Sequence, residues 1–141
     1  MKIFRLTEVA LKWPLILIFL IITFSVKAEN SQNGYLESGG LIWTPISVLK
    51  NWHGANNFCL NLQKDNLNDW RLPTKSELSA LYSSNEMQNK GWILTNTWTS
   101  SNNGLVGSHH WVFSLDEGKD WPLINHDLNY VTCVHARTVA P

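Results

Sequence analysis

The chain has 141 residues, 44% hydrophobic and 16% charged, with no formal net charge, which fits one globular domain and excludes a disordered chain. Eight tryptophans are the unusual feature. Each brings a large ring and one polar N–H, so a small Trp-rich domain has an aromatic core or an aromatic surface, and composition does not separate the two.

Residues 1–28 differ from the rest. Lys2, Arg5 and Lys12 form a positive start, Trp13 to Val26 is almost unbroken apolar sequence, and Val26-Lys27-Ala28 supplies small residues at the two positions a signal peptidase reads. An apolar run of about 14 residues spans roughly 21 Å as a helix, short of the roughly 30 Å hydrocarbon core. The segment therefore reads as a signal peptide and the protein as exported; the alternative is an uncleaved anchor, the one case that brings in a membrane. No cysteine stands directly after the apolar run, so a lipoprotein anchor is excluded. Cleavage after Ala28 removes Lys2, Arg5, Lys12 and Lys27 but only Glu8 among acids, leaving 7 basic against 10 acidic residues, a net charge of −3. That balance argues against nucleic acid, where phosphate neutralisation dominates affinity.

Residues 29–39 are polar and Gly/Ser/Asn-rich, a lead-in to a domain covering 40–141. Leu41-Ile42-Trp43, closed by Thr44-Pro45, reads as a first strand. From Val48 to Leu62 the residues Trp52, Ala55, Phe58/Cys59 and Leu62 recur at helical spacing, placing Cys59 on a buried face. After a polar turn, Trp70-Arg71-Leu72-Pro73 is extended because Pro73 disfavours helix at Leu72. Thr74-Lys75-Ser76-Glu77 forms a capping box, with Leu78 and Leu81 the buried face of a second helix. Glu77, the obvious lone carboxylate, thereby has a structural role. Past Tyr82, Trp98–Ser101, Trp111–Leu115 and Tyr130–Val134 are strand-like runs separated by turn residues. Two early helices and several late strands predict an α+β domain with a mostly antiparallel sheet.

Cys59 and Cys133 both lie beyond the signal segment. An exported chain with an even cysteine count favours a disulfide, and two cysteines allow one pairing; two reduced thiols near a metal or catalytic centre are the alternative, without a C-x-x-C motif to support it.

The string Trp70-Arg71-Leu72-Pro73-Thr74 with Glu77-Leu78 and Leu81, then Trp98-Thr99-Ser100 and Tyr130-Val131-x-Cys133-Val134, resembles the bacterial Lcl C-terminal family. Upstream, Trp43 and Trp52-x-x-Ala55 leading to Cys59-x-x-Leu62 fit the same pattern, so the likeness runs from about Leu41 to His135. It implies a C-type-lectin-like fold, export, association with surface or adhesin-like proteins, and pairing of the helix-one cysteine with one on the last strand. The chain departs from the family's C-V-R by having Cys133-Val134-His135, with Arg137 two residues later, which puts any role of that arginine in doubt. The run R-L-P-T-x-x-E is also similar to the formylglycine-generating, sulfatase-modifying group. Those larger enzymes rely on late active-site cysteines or a histidine metal set, so the shared string reads here as common scaffold.

Metal and cofactor readings are weak. His109-His110 with Asp116 and Glu117, or His126-Asp127, lack zinc-ligand spacing and read as loop histidines; adjacent residues of a strand point to opposite faces. The calcium tripeptides of many C-type lectins are missing, and Asp65 to Asp69 reads as a turn. There is no G-x-S-x-G. No metal, cofactor or catalytic residue is expected. The binding candidates lie in the segments Asn85–Asn96 and Asn102–His110 and beside them: Trp92, Trp111 and Trp121 for stacking, Asn102, Asn103, His109 and His110 for hydrogen bonds. The expected function is a non-catalytic, adhesin-like module for a glycan or a surface protein. A structural accessory subunit of an envelope assembly is the first alternative and a small sulfatase-modifying-type enzyme the second.

Non-reducing mass spectrometry of the exported protein is expected to give a chain starting at Glu29 and two hydrogens light. An intact N-terminus shows an anchored protein, and two free thiols undo the disulfide.

Overall fold

The structure, a computed structural model, describes residues 34–88, 90–104 and 107–137. The signal-peptide and anchor readings therefore lie outside the described residues. Among those described, no helix is long and apolar enough to cross a membrane.

Among the described residues, the domain has two sheets and two helices. Strands β1 (Leu36–Ser38), β2 (Leu41–Trp43) and β8 (Val134–Ala136) form a three-stranded antiparallel sheet in that order. The stretch read as a lead-in thus contains β1, turned back on β2 through Gly39 and Gly40, both at positive φ. The second sheet runs β3 (Ser47–Lys50), β7 (Asn129–Val131), β4 (Asn96–Asn102), β5 (His109–Ser114), β6 (Asp120–Ile124). Its pairs are antiparallel except β4 with β7, which meet in parallel at Thr97 and Tyr130. The α+β, mostly antiparallel expectation holds, with two sheets in place of one.

Helix α1 (Trp52–Leu60) starts at Asn51, whose side chain accepts from the Gly54 N–H at 2.8 Å. It is shorter than the helical spacing predicts: Val48 and Leu49 belong to β3, an edge strand where both are exposed. Helix α2 (Lys75–Ser84) begins with the expected capping box, Thr74 Oγ1 accepting from Glu77 N (3.1 Å) and Glu77 Oε2 accepting from Thr74 N (2.8 Å). Glu77 also receives both guanidinium N–H groups of Arg71, at 2.7 and 2.8 Å. Partial burial pushes the Glu77 carboxyl upward, but the bonds from Arg71 and Thr74 outweigh it and hold the group below the ordinary carboxylate range.

The helices pack on opposite faces of the five-stranded sheet. Val112 and Phe113, neighbours on β5, point to opposite sides. On one side Ala55 and Cys59 of α1 pack with Trp70, Leu72, Trp98, Val112, Val131 and Cys133. On the other, Leu78 and Leu81 of α2 pack with Phe113, Leu115, Trp43 and Val134. The Trp70–Pro73 segment lies alongside β8 through Arg71, which exchanges both backbone hydrogen bonds with Val134 (3.0 and 2.8 Å). Alternation then buries Trp70 and Leu72 and turns Arg71 out toward Glu77.

Three further departures have physical causes. Tyr130–Val134 is not one strand: β7 ends at Val131, and Thr132-Cys133 carries the chain into the other sheet before β8 starts. Cys133 therefore sits at the crossing, where it bonds Cys59 with a Cα–Cα separation of 5.5 Å. Strand β6 lies outside the strand-like runs read from the sequence; its Pro122 is tolerated because β6 is an edge. His109 and His110 are strand residues of β5, not loop histidines. Asp116-Glu117-Gly118 is a turn as expected; a Cβ on Gly118 would fall 2.4 Å from the Tyr82 ring.

His110 is 8% exposed and faces α1. Its ring stacks on Trp52 with centroids 3.6 Å apart, and Nδ1 meets Asn125 Oδ1 at 2.8 Å. Burial lowers its pKa from the usual 6.5; the bond to Asn125 opposes this and the nearby His53 adds to it.

Replacing both cysteines with alanine is expected to cost about 4 kcal/mol on chain-entropy grounds, read from the urea midpoint. For His110, a folded pKa below the unfolded one means that the unfolded chain takes up more protons in the window between them. Its contribution to stability is therefore complete above pH 6.5 and lost as pH falls through the lowered folded value. His110→Phe, which keeps a ring on Trp52, should flatten the stability-versus-pH curve below pH 6.5; an unchanged slope contradicts the assignment.

Candidate functional site

The seven residues singled out for binding do not form one site. His110 is committed to the α1 side by Trp52 and Asn125. Trp121 and Leu123 share that side and pack against the Ala55–Cys59 cluster. Trp92 packs against the α2-side cluster, and its Nε1 donates to Gly34 O at 2.9 Å. Asn102 is exposed at the end of β4 opposite His110, and the Asn103 backbone N–H donates to His109 O at 3.2 Å. These two asparagines thus sit where β4 turns toward β5, beside His109.

His109 and Trp111 remain on the α2 side with Phe113, but past the part of β5 that α2 covers. Their cross-strand partners on edge strand β6 are Ile124 and Pro122. The four side chains make a strip of histidine, tryptophan, proline and isoleucine, with Pro122 exposed and Ile124 39% exposed. Lys75, the first residue of α2, closes one end: its Nζ lies 3.8 Å from the Trp111 ring centroid and 3.5 Å from Asp120 Oδ1. The Lys75 N–H donates to Ser101 Oγ at 3.0 Å, and Ser100 N donates to Pro73 O at 2.8 Å, so the start of α2 is fastened to β4.

The tryptophan N–H groups divide the rings by role. Trp43, Trp52, Trp70, Trp92 and Trp98 donate to the carbonyls of Ser38, Thr99, Leu67, Gly34 and Lys50 at 2.8–3.3 Å. Trp111 and Trp121 make no such bond among the described residues, and of the two only Trp111 belongs to the exposed strip. Lys75, Asp120, Pro122 and Ile124 were missed in the sequence. The signal available was the alternation in Asp120-Trp121-Pro122-Leu123-Ile124, read as an edge strand despite its proline.

Groups that suggested chemistry are otherwise engaged. Cys59 and Cys133 are bonded to each other, and Glu77 is shared by Arg71 and Thr74. Among the described residues no three His, Cys, Asp or Glu side chains converge as a metal site.

Comparison with known proteins agrees with this geometry. Curated proteins contain no sequence match. Among solved structures, botrocetin superposes with a TM-score of 0.53 at 13% identity, covering 73% of this chain and 96% of botrocetin. EMS16, an antagonist of the collagen receptor integrin alpha2beta1, gives 0.53 at 12% identity, covering 73% and 97%. The Yersinia pseudotuberculosis adhesin InvE gives 0.54 at 17% identity, covering 72% of this chain but 34% of InvE. At these identities the likeness shows the C-type-lectin-like fold alone. Residues 37–135 match the Lcl C-terminal domain, most of the chain, and with the disulfide and the two-sheet architecture this chain belongs to the Lcl C-terminal domain family.

Proposed function

We propose that the protein is an exported, non-catalytic binding module that holds a surface glycan or an envelope protein against the strip of His109, Trp111, Pro122 and Ile124. The observation that carries the reading is Trp111, held on the sheet between Lys75 and Pro122 with its indole N–H making no hydrogen bond among the described residues. A partly exposed tryptophan with apolar neighbours and a polar rim has the make-up of an interface anchor. The disulfide favours an oxidising, extracytoplasmic setting. The names of similar structures support a binding role: InvE is an adhesin, and botrocetin forms a complex with a von Willebrand factor A1 domain. An accessory role in an envelope assembly has support from the β3 edge, where Val48 and Leu49 are 43% and 51% exposed; cross-linking in the native host to one stoichiometric partner through β3 favours it.

The test is a glycan array and a pull-down from envelope material, both with oxidised protein, comparing wild type with Trp111→Ala. The variant should bind at least about tenfold more weakly, with an unchanged thermal midpoint showing that the fold is intact. Two empty screens, or equal binding by the variant, reject the reading.

A further inference from the structure

The turn that leaves β4 contains Asn103-Gly104, the one Asn–Gly step that lies wholly within the described residues. Every other described asparagine is followed by a residue with a side chain. The difference is chemical. A backbone nitrogen can attack the side-chain amide carbon of the asparagine before it, because the ring so formed has five members. A Cβ on the attacking residue crowds that approach, and glycine has none. Asparagine is accordingly among the thermolabile residues.

The local structure leaves both reacting groups free. Gly104 is exposed at a φ of 69°, and nothing stands within 4 Å of the position a Cβ would take. Among the described residues its N–H donates to no backbone carbonyl, and the Asn103 side chain makes no hydrogen bond. The side chains of Asn51, Asn61, Asn125 and Asn129 are by contrast each held in one. Position gives the step its consequence. The register Asn102↔His110, continued by one residue, sets Asn103 opposite His109, and Asn103 N donates to His109 O at 3.2 Å. The turn therefore stands at the end of the Trp111 strip away from Lys75.

We propose that Asn103 converts itself to aspartate and isoaspartate, so that the folded protein acquires a carboxylate at the end of the strip as it ages. The Gly104 backbone nitrogen gives its proton to hydroxide and bonds to the Asn103 side-chain amide carbon. The side-chain nitrogen takes a proton from water and leaves as ammonia. Water then adds to the five-membered imide and breaks one of its two C–N bonds. Breaking the bond to the former side-chain carbon leaves aspartate; breaking the other routes the backbone through the side chain and lengthens the turn by one methylene. The net reaction consumes one water and releases one ammonia, with nothing oxidised or reduced. Either product exchanges a neutral amide for a negative charge opposite His109. The conversion needs no ligand, so it stands or falls separately from the binding role of Trp111.

The test holds the full oxidised chain at mildly alkaline pH and physiological temperature for several weeks, beside the same chain reduced and unfolded in urea. Peptide mapping by mass spectrometry follows each asparagine, and an isoaspartate methyltransferase reports the rearranged product. Expected is a gain of about one dalton at Asn103, at a rate within about tenfold of the unfolded chain and rising with pH. Water enriched in heavy oxygen should leave one labelled oxygen in the product. Gly104→Ala should slow the conversion at least tenfold, and so should Asn103→Gln, which keeps the glycine and enlarges the ring; an unchanged thermal midpoint shows each variant folded. The proposal is overturned if Asn103 stays intact in the folded chain while the unfolded chain converts. It is equally overturned if the gain falls on other asparagines alone, or if both variants convert as fast as wild type.

Discussion

The rest of the domain depends on the two-residue crossing at Thr132-Cys133. Strand ladders stop there, and a buried backbone that leaves its ladder must find other partners. Thr44 and Thr97 supply them: Thr132 N donates to Thr97 Oγ1 (3.2 Å), Cys133 N to Thr44 Oγ1 (2.8 Å), Thr132 Oγ1 to Thr44 O (2.6 Å) and Thr44 N to Cys133 O (2.9 Å). The same point carries the disulfide to α1. One locus thus joins β2, β4, β8 and the first helix.

The Trp70–Glu77 segment plays the complementary part for α2. Trp70 and Leu72 enter the core of the α1 side, while Arg71 between them reaches Glu77. Pro73 and Lys75 then take hydrogen bonds from or to Ser100 and Ser101. This explains why the W-R-L-P-T and W-T-S strings occur together: they are the two halves of one fastening. Its consequence at the surface is the position of Lys75, over the Trp111 ring and beside Asp120. The motif that identifies the family is therefore scaffold, and the surfaces available for recognition are displaced from it.

The Trp111 strip is an apolar edge with one ion pair at its end, suited to a flat partner. Lys75 and Asp120 close that end, and the Asn103-Gly104 turn stands at the other, beside His109. Helix packing places the first and strand register the second.

Much of this was legible in the residues. Local rules sufficed for the capping box at Thr74–Glu77, the buried face Leu78 and Leu81, the turn at Asp116–Gly118 and the α+β class, because each is decided by neighbours in sequence. The cysteine count and the family likeness together pointed to the Cys59–Cys133 pair. Long-range contacts decided the rest. Val48 and Leu49 fit a helical period but are drawn into β3 by pairing with β7. Pro122 reads as a strand breaker, yet an edge leaves its missing N–H harmless. Which tryptophans pack into the core depends on contacts across the fold, and the carbonyls that receive their N–H groups lie up to 58 residues away, as for Trp92 and Gly34. Sequence alone determined the class, the Thr74–Glu77 cap and the disulfide. Only the tertiary structure decided that Trp111, and not Trp92 or Trp121, stands at an exposed strip, and that Lys75 closes its end, because side chains converge across strand pairings and helix packing that no local pattern encodes.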